Sequence, residues 1–179
     1  MLEIENCCLL IVDVQGKLAQ LMHEKDSLFK NIQILIKSAK LLNIPIIWCQ
    51  QQPKSIGVTI PEISNLLTEE KPIDKACFSC FGCEEFRKRL QQINRKQVLL
   101  CGIEAHVCVY QTAVELLAAG KEVYVIADAV SSRAQRNLQI AIERMLAEGV
   151  KISSTEMAVF ELLKTAEHPQ FKQVAGLVK

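Results

Sequence analysis

A carboxylate that could act as a general base ends the first apolar segment of this 179-residue chain. Asp13 closes the run CCLLIVDV (7–14), whose apolar and β-branched residues are typical of a buried strand. Burial raises the pKa of a carboxyl group and so makes it a better proton acceptor near neutral pH. Alternatively, Asp13 could only cap the loop that follows, and the sequence leaves both interpretations open.

A cysteine with the features of a nucleophile lies near the middle of the chain, in CGIEAHVCVYQTA (101–113). Cys108 falls two residues into a predicted helix that follows an apolar strand. The positive end of a helix dipole stabilises a thiolate, so this position predicts a lowered thiol pKa. The free backbone N–H groups of the first turn could also stabilise an oxyanion. The alternative is a cysteine that only fills the core.

A lysine that could assist both groups lies in KPIDKACFSCF (71–81). If the side chain of Lys75 points inward, its ammonium group would lower the pKa of the Cys108 thiol or bind the Asp13 carboxylate. If it points outward, it would extend past apolar neighbours to the surface, as many lysines do. The spacing along the chain does not decide between the two.

Alternating strands and helices must position these residues. Strands are predicted at 7–14, 44–50, 97–103, 122–130 and 151–154, and helices at 27–42, 61–67, 84–93, 106–120 and 134–149. Two more helices are predicted after a capping box at Ser153–Glu156, the second beginning near Pro169, while residues 71–83 are predicted to be irregular. The pattern predicts an α/β fold, a doubly wound, mostly parallel sheet of five to six strands with helices on both faces. In such a sheet, ligands bind at the carboxyl ends of the strands.

The composition restricts the possible partners and location. Lys and Arg number 21 and Asp and Glu 20, a net charge of +1, which argues against binding to nucleic acid. The apolar runs are far shorter than the roughly 18 residues of a membrane span, and no signal peptide is visible. With no linker or repeat, the sequence predicts one cytoplasmic domain over residues 1–179, whose eight cysteines are free thiols.

Three motifs in order carry a family resemblance. D-V-Q at 13–15, K-x-x-x-S-x-F at 75–81 and G-I-E-A-H-V-C-V-x-x-T-A at 102–113 resemble the isochorismatase-like hydrolases, which include nicotinamidases, N-carbamoyl amidohydrolases and isochorismatases. The resemblance covers nearly the whole chain, continuing in VIADAVSSR (125–133) and the tail. The segment 50–63 and the tail are most similar to small isochorismatase-domain proteins of unassigned substrate.

The resemblance implies a catalytic triad. Cys108 would be the nucleophile, and Asp13 would take the thiol proton and pass it to the leaving amine. Lys75 would stabilise the thiolate and orient the carboxylate. The backbone N–H groups of Glu104 and Cys108 would form the oxyanion hole, with a cis peptide bond between Ile103 and Glu104. The implied function is hydrolysis of an amide-type C–N bond in a small molecule through a covalent cysteine intermediate.

This chain departs from the pattern of some family members, and the differences restrict the metal content and the type of bond that we expect. Nicotinamidases of the family bind a metal through an Asp-x-His pair, whereas this chain reads CQQQPKSIG after Trp48, so no metal and no cofactor are predicted. Family members that cleave a vinyl ether lack the cysteine, so Cys108 favours C–N hydrolysis. The resemblance also implies a homo-oligomer. Position along the chain makes Leu18, Trp48, Gln50, Gln51 and Phe78 the predicted substrate-pocket residues, and for each of them packing in the core is the alternative.

Two other classes of function remain open. Cys77, Cys80 and Cys83 form C-x-x-C-x-x-C, a spacing that suits an iron–sulfur cluster, a zinc ion or a redox dithiol, unless the three are incidental small residues. A non-catalytic scaffold could keep the same fold, although it would need none of Asp13, Lys75 and Cys108. The glycine motifs of nucleotide-binding loops are absent.

Overall fold

The sheet is parallel throughout and contains six strands. The computed structural model describes all of residues 1–179. The strands, in the order β3-β2-β1-β4-β5-β6, are β1 (Cys7–Val12), β2 (Ile46–Gln51), β3 (Ile73–Lys75), β4 (Gln97–Ile103), β5 (Glu122–Ser131) and β6 (Lys151–Ser153). The chain builds outward from β1 to β3, then returns to add β4 on the other side of β1. The predicted doubly wound α/β fold is confirmed, with its switch point between β1 and β4.

Helices cover both faces of this sheet. They are α1 (Gly16–Gln20), α2 (Lys25–Leu41), α3 (Pro53–Ile56), α4 (Pro61–Ser64), α5 (Glu84–Ile93), α6 (Tyr110–Ala118), α7 (Gln135–Ala147), α8 (Thr155–Leu163) and α9 (Phe171–Leu177). Side chains of β1 alternate between two cores: Leu9 and Ile11 pack with α2, α8 and α9, whereas Cys8 and Leu10 pack with α5, α6 and α7. Burial on both faces explains why β1 and β4 are almost wholly apolar. No helix has both the length and the apolar character needed to cross a membrane.

Three local predictions need correction. Residues 71–83, predicted to be irregular, contain β3, which pairs with the end of β2, and a 3-10 turn at Cys80–Gly82. The predicted helix 106–120 begins as a π-helical turn, Ala105–Val109, and becomes α-helical only at Tyr110. The cap of α8 is one residue later than predicted, because the side chain of Ser154, not Ser153, accepts a hydrogen bond from the Met157 N–H group.

A glycine lets the two central strands approach closely at the switch point. Gly102 has φ +122°, and a Cβ atom there would lie 2.1 Å from the carbonyl oxygen of Val12. Any other residue would therefore push β4 away from β1. This close approach brings Asp13, directly after β1, next to the segment that follows β4.

Candidate active site

A buried ion pair joins the ends of two strands. Lys75, the last residue of β3, places its Nζ 2.6 Å from Oδ2 of Asp13, which follows β1 and has φ +54°. Only 4% of the Asp13 side chain and none of the Lys75 side chain is exposed. The lysine points inward and binds the Asp13 carboxylate, so the alternative in which it extends to the surface is wrong.

The ammonium group of Lys75 is fully occupied by acceptors. Besides Asp13, Nζ donates to Oε1 of Gln51 at 2.8 Å and to the carbonyl oxygens of Phe78 at 3.0 Å and Cys77 at 3.3 Å. Burial opposes the charged form, but nearby Cys80 and Asp13 leave the pKa of Lys75 above its ordinary value. Lys75 is therefore a fixed positive charge.

The carboxylate of Asp13 keeps one oxygen available. Burial raises the pKa of Asp13, while the charge and hydrogen bond of Lys75 oppose that rise. Oδ1 is buried and has no hydrogen-bond donor of its own, and the Cys108 thiol is close enough to influence the Asp13 pKa. The geometry leaves Oδ1 able to accept a proton from a neighbouring group.

Cys108 lies in the π-helical turn at the wall of a cavity. Within that turn, the N–H groups of Val107 and Val109 both donate to the carbonyl oxygen of Glu104. Burial, followed by the negative charge of Asp13, raises the pKa of the Cys108 thiol against the opposing effect of Lys75. The predicted lowering of this pKa is wrong, because burial and the Asp13 carboxylate outweigh the positive charge of Lys75. A thiol whose pKa is raised would need a base in order to react as a thiolate.

A second ion pair lies at the mouth of the cavity. The peptide bond between Ile103 and Glu104 is cis, and the Glu104 side chain is 7% exposed. Its Oε1 accepts from Nε of Arg133 at 2.5 Å, and its Oε2 lies 3.4 Å from Nε2 of His106. Nδ1 of His106 in turn contacts Oγ of Ser132 at 2.9 Å. Arg133 is 60% exposed, so this pair touches water where the Asp13–Lys75 pair does not.

The cavity between these pairs has a volume of about 260 Å³. Its lining consists of Asp13, Gln15, Leu18, Gln51, Ile56, Phe78, Ile103, Glu104, Val107, Cys108 and Arg133. Three of the five predicted pocket residues, Leu18, Gln51 and Phe78, are therefore in the lining.

Trp48 and Gln50 are outside it, contrary to prediction. Side chains alternate along β2, so residues 48 and 50 face away from the side on which Gln51 lies. Trp48 packs in the core with α2. Oε1 of Gln50 accepts from the N–H and hydroxyl groups of Thr59, and its Nε2 donates to Asp74.

Sequence reasoning missed two polar residues of the lining. Gln15 is fully buried: its Nε2 donates to the carbonyl oxygens of Gln51 and Gly57, and its Oε1 accepts from the Gln51 N–H group. It thereby fixes the backbone of the residue whose side chain contacts Lys75. Arg133 follows β5. Both residues come just after the carboxyl end of a strand, and that rule alone could have identified them.

The three cysteines of the C-x-x-C-x-x-C motif do not point to a common centre. Cys80 is buried beside Cys49 of β2, whereas Cys77 and Cys83 are partly exposed. All eight cysteines are free thiols. No group of three or more His, Cys, Asp or Glu side chains is arranged to hold a metal ion.

Comparison with known proteins gives a consistent result. The isochorismatase domain matches residues 7–157. The secreted isochorismatase effector Isc1 of Phytophthora sojae is 38% identical over 175 residues, 96% of this chain and 83% of that protein. Isochorismatase domain-containing protein 2 of Danio rerio is 36% identical over 178 residues, 99% of this chain and 89% of that one.

A solved structure, described as the MAR1 ribonuclease from Caenorhabditis elegans, superposes with a TM-score of 0.93. It is 35% identical and covers 99% of this chain and 91% of its own. The family domain spans most of the chain, and these relatives span nearly all of it, with the fold preserved throughout. The resemblance carried by the three sequence motifs is thus confirmed, and the chain belongs to the isochorismatase family of hydrolases.

Proposed function

We propose that this hydrolase cleaves an amide-type C–N bond of a small molecule through a covalent intermediate on Cys108. The observation that carries the proposal is the buried Asp13–Lys75 ion pair beside the Cys108 thiol, at the wall of a cavity. A thiol with a raised pKa needs a nearby base, and Asp13 has an unpartnered oxygen for that role.

In the first half of the reaction, Cys108 attacks the carbonyl carbon of the amide as its thiol proton moves to Asp13. The charge that develops on the carbonyl oxygen is stabilised by the backbone N–H groups of Glu104 and Cys108. Asp13 then gives its proton to the amide nitrogen, the C–N bond breaks, and the amine leaves. The acyl group remains on Cys108 as a thioester.

In the second half, a water molecule attacks the thioester while Asp13 accepts one of its protons. The C–S bond breaks, the carboxylic acid departs, and the proton returns to the thiol. Lys75 stays charged throughout and holds one oxygen of Asp13, so that Oδ1 faces the reacting atoms. Every step uses groups of the chain itself, and we propose no metal and no cofactor.

A small molecule is a better substrate for this site than RNA, although the nematode relative is described as a ribonuclease. The chain has a net charge of only +1, whereas proteins that hold a phosphate backbone concentrate Lys and Arg along it. The cavity, at about 260 Å³, is slightly smaller than a typical small-molecule pocket and could not enclose a polynucleotide segment.

The assembly and location of the chain are also proposals. Leu21, Val58 and Phe78 are exposed apolar residues in the segments that surround the cavity mouth, which supports burial of this surface in a homo-oligomer.

Eight free thiols support a cytoplasmic location. Because one relative is named as a secreted effector, location has to be measured for this chain itself.

Trapping of the acyl group tests the mechanism. Incubation with a panel of small primary amides, followed by rapid acid quenching and mass spectrometry, should give an adduct with the mass of the acyl group on the Cys108 peptide. Cys108→Ala and Cys108→Ser should keep the fold but lose turnover at least about a thousandfold, because the covalent route is removed.

Cys83→Ser is the matched control, since Cys83 is partly exposed and does not line the cavity. It should keep wild-type turnover. Near wild-type turnover by Cys108→Ala would refute the covalent mechanism. Loss of activity in Cys83→Ser instead would favour a redox role for the cysteine motif, and no turnover of any amide would favour the scaffold.

A further inference from the structure

We propose that the pocket excludes anionic substrates in favour of uncharged amides with a short apolar body, and that the Glu104–Arg133 ion pair sets this selectivity. The inference rests on the proposed amide hydrolysis and adds to it the class of substrate. It follows from the charges of the cavity, which cancel in two separate pairs.

Each charged group of the site already has a partner of opposite charge. Asp13 is paired with Lys75 at 2.6 Å, and Glu104 is paired with Arg133 at 2.5 Å. The second oxygen of Glu104 is also occupied, since it lies 3.4 Å from Nε2 of His106. The lining therefore offers no unpaired cation to an anionic substrate, while Oδ1 of Asp13 remains open for the proton of the thiol.

An anionic substrate would have to take Arg133 away from Glu104. Glu104 is only 7% exposed, so it would be left as a nearly buried carboxylate without its main partner. Loss of that partner costs free energy, which an incoming anion would have to offset. A negative group entering the pocket would also lie near Asp13 and Glu104, and like charges repel. The two carboxylates thus exclude anions even though an arginine stands at the mouth.

The remaining lining residues favour a short apolar body. The side chains of Leu18, Ile56, Phe78, Ile103 and Val107 form the apolar part of the wall. The volume of about 260 Å³ is below the range of about 300–1,000 Å³ typical of pockets for drug-sized ligands. The polar end of the substrate would lie toward Cys108 and Gln51, and its apolar end toward Leu18 and Phe78.

A pair of alkylating reagents of nearly equal size tests the charge preference directly. Iodoacetamide is neutral and iodoacetate is anionic. In both reactions the sulfur of Cys108 forms a bond to the methylene carbon, iodide leaves, and the thiol proton goes to solvent. The rates are measured on the Cys108 peptide at about pH 8.5, where an ordinary histidine is neutral. The same ratio for N-acetylcysteinamide gives the intrinsic preference of a thiol.

In the wild-type protein, the preference of Cys108 for iodoacetamide over iodoacetate should exceed the intrinsic preference at least about tenfold. Glu104→Gln frees Arg133 and should reduce the preference to the intrinsic value or below. Arg133→Met leaves Glu104 unpaired and should increase it. A change in thiol pKa affects both reagents equally, so it cancels in the ratio.

The proposal would be overturned if the preference of wild-type Cys108 for iodoacetamide equalled that of N-acetylcysteinamide. It would also be overturned if both variants changed this preference in the same direction. Arg133 is largely exposed, so its variant keeps the test valid even if Glu104→Gln does not fold. Alkylation needs no amide turnover. The charge preference can therefore fail while acyl trapping on Cys108 succeeds, or hold while acyl trapping fails, and the two proposals are separable.

Discussion

The floor and the mouth of the cavity each hold a carboxylate–cation pair, and the two pairs differ in their contact with water. At the floor, Lys75 has no exposed surface and Asp13 has 4%; at the mouth, Arg133 is 60% exposed. The floor cation has four acceptors and no freedom to change partner. The mouth cation has one recorded carboxylate partner and reaches solvent. The same kind of ion pair is thus sealed from water at the floor and in contact with water at the mouth.

The topology of the sheet explains this arrangement. The carboxylates follow β1 and β4, the two central strands at the switch point, and the cations come from β3 and from the segment after β5. Asp13 and Glu104 are therefore brought together by the approach of β4 to β1 at Gly102. Lys75, on β3, pairs with Asp13 from one side of the switch point, and Arg133, after β5, pairs with Glu104 from the other. The two pairs can be changed independently, which permits a direct comparison.

The largest effect is expected at the floor. Lys75→Met leaves Asp13 buried without its partner, so the free energy of unfolding should fall by about 3–5 kcal/mol at neutral pH. Turnover should be lost as well. Urea denaturation followed by circular dichroism measures the change in stability.

The double variant Asp13→Asn/Lys75→Met is the control for the charge, since it removes both members of the pair. It should recover much of the stability while remaining inactive. A single variant as stable as the wild-type protein would mean that the pair is not buried as described. A double variant no more stable than Lys75→Met would mean that packing, and not the unpaired carboxylate, causes the loss.

Both members of the floor pair, and the strand that precedes Asp13, could be predicted from the sequence. The apolar runs before Asp13 and Glu104 match β1 and β4 because a strand buried on both faces needs a continuous apolar segment. The short strand β3 was missed, since three residues carry too little pattern to distinguish them from a loop. The motifs nevertheless identified Lys75 within it.

The mouth pair could not be predicted in the same way. Glu104 and Arg133 are 29 residues apart, and only the pairing of β4 with β5 makes them neighbours. The raised pKa of the Cys108 thiol also depends on burial and on Asp13, which local spacing does not express. Position along the chain predicts Trp48 and Gln50 in the pocket together with Gln51, but side chains alternate along β2, so only one face of that strand can meet the cavity.

An intermediate effect is expected when only the base of the floor pair is changed. Asp13→Asn should abolish turnover because the proton acceptor is lost. The same change should speed alkylation of Cys108 by iodoacetamide, since the negative charge of Asp13 helps to raise the thiol pKa. The rate below the thiol pKa should rise about tenfold for each unit by which that pKa falls. Peptide mapping of timed samples gives the rate.

The pH profile provides an independent check on the same residue. Burial raises the pKa of Asp13, and the proposed base must be ionised, so wild-type kcat/KM should fall as pH decreases through a value above about 3.9. Two results together would contradict the proposed contact between carboxylate and thiol. They are slower alkylation of Cys108 in Asp13→Asn and a wild-type kcat/KM that falls only at the ordinary carboxyl pKa.

The smallest effect on stability is expected at the mouth. Arg133→Met should lower the free energy of unfolding by no more than about 1 kcal/mol, because water screens a pair whose cation is 60% exposed. Glu104 is itself mostly buried, which favours a loss of about 1 kcal/mol, but solvent at the mouth and the nearby His106 ring still face its carboxylate.

The matched control is Arg89→Met, which removes the exposed Arg89–Glu70 pair at a place remote from the site. Both losses should shrink further in about 1 M salt, where the Debye length is near 3 Å. A loss from Arg133→Met as large as that from Lys75→Met, and insensitive to salt, would show that the mouth pair is as much a part of the folded core as the floor pair.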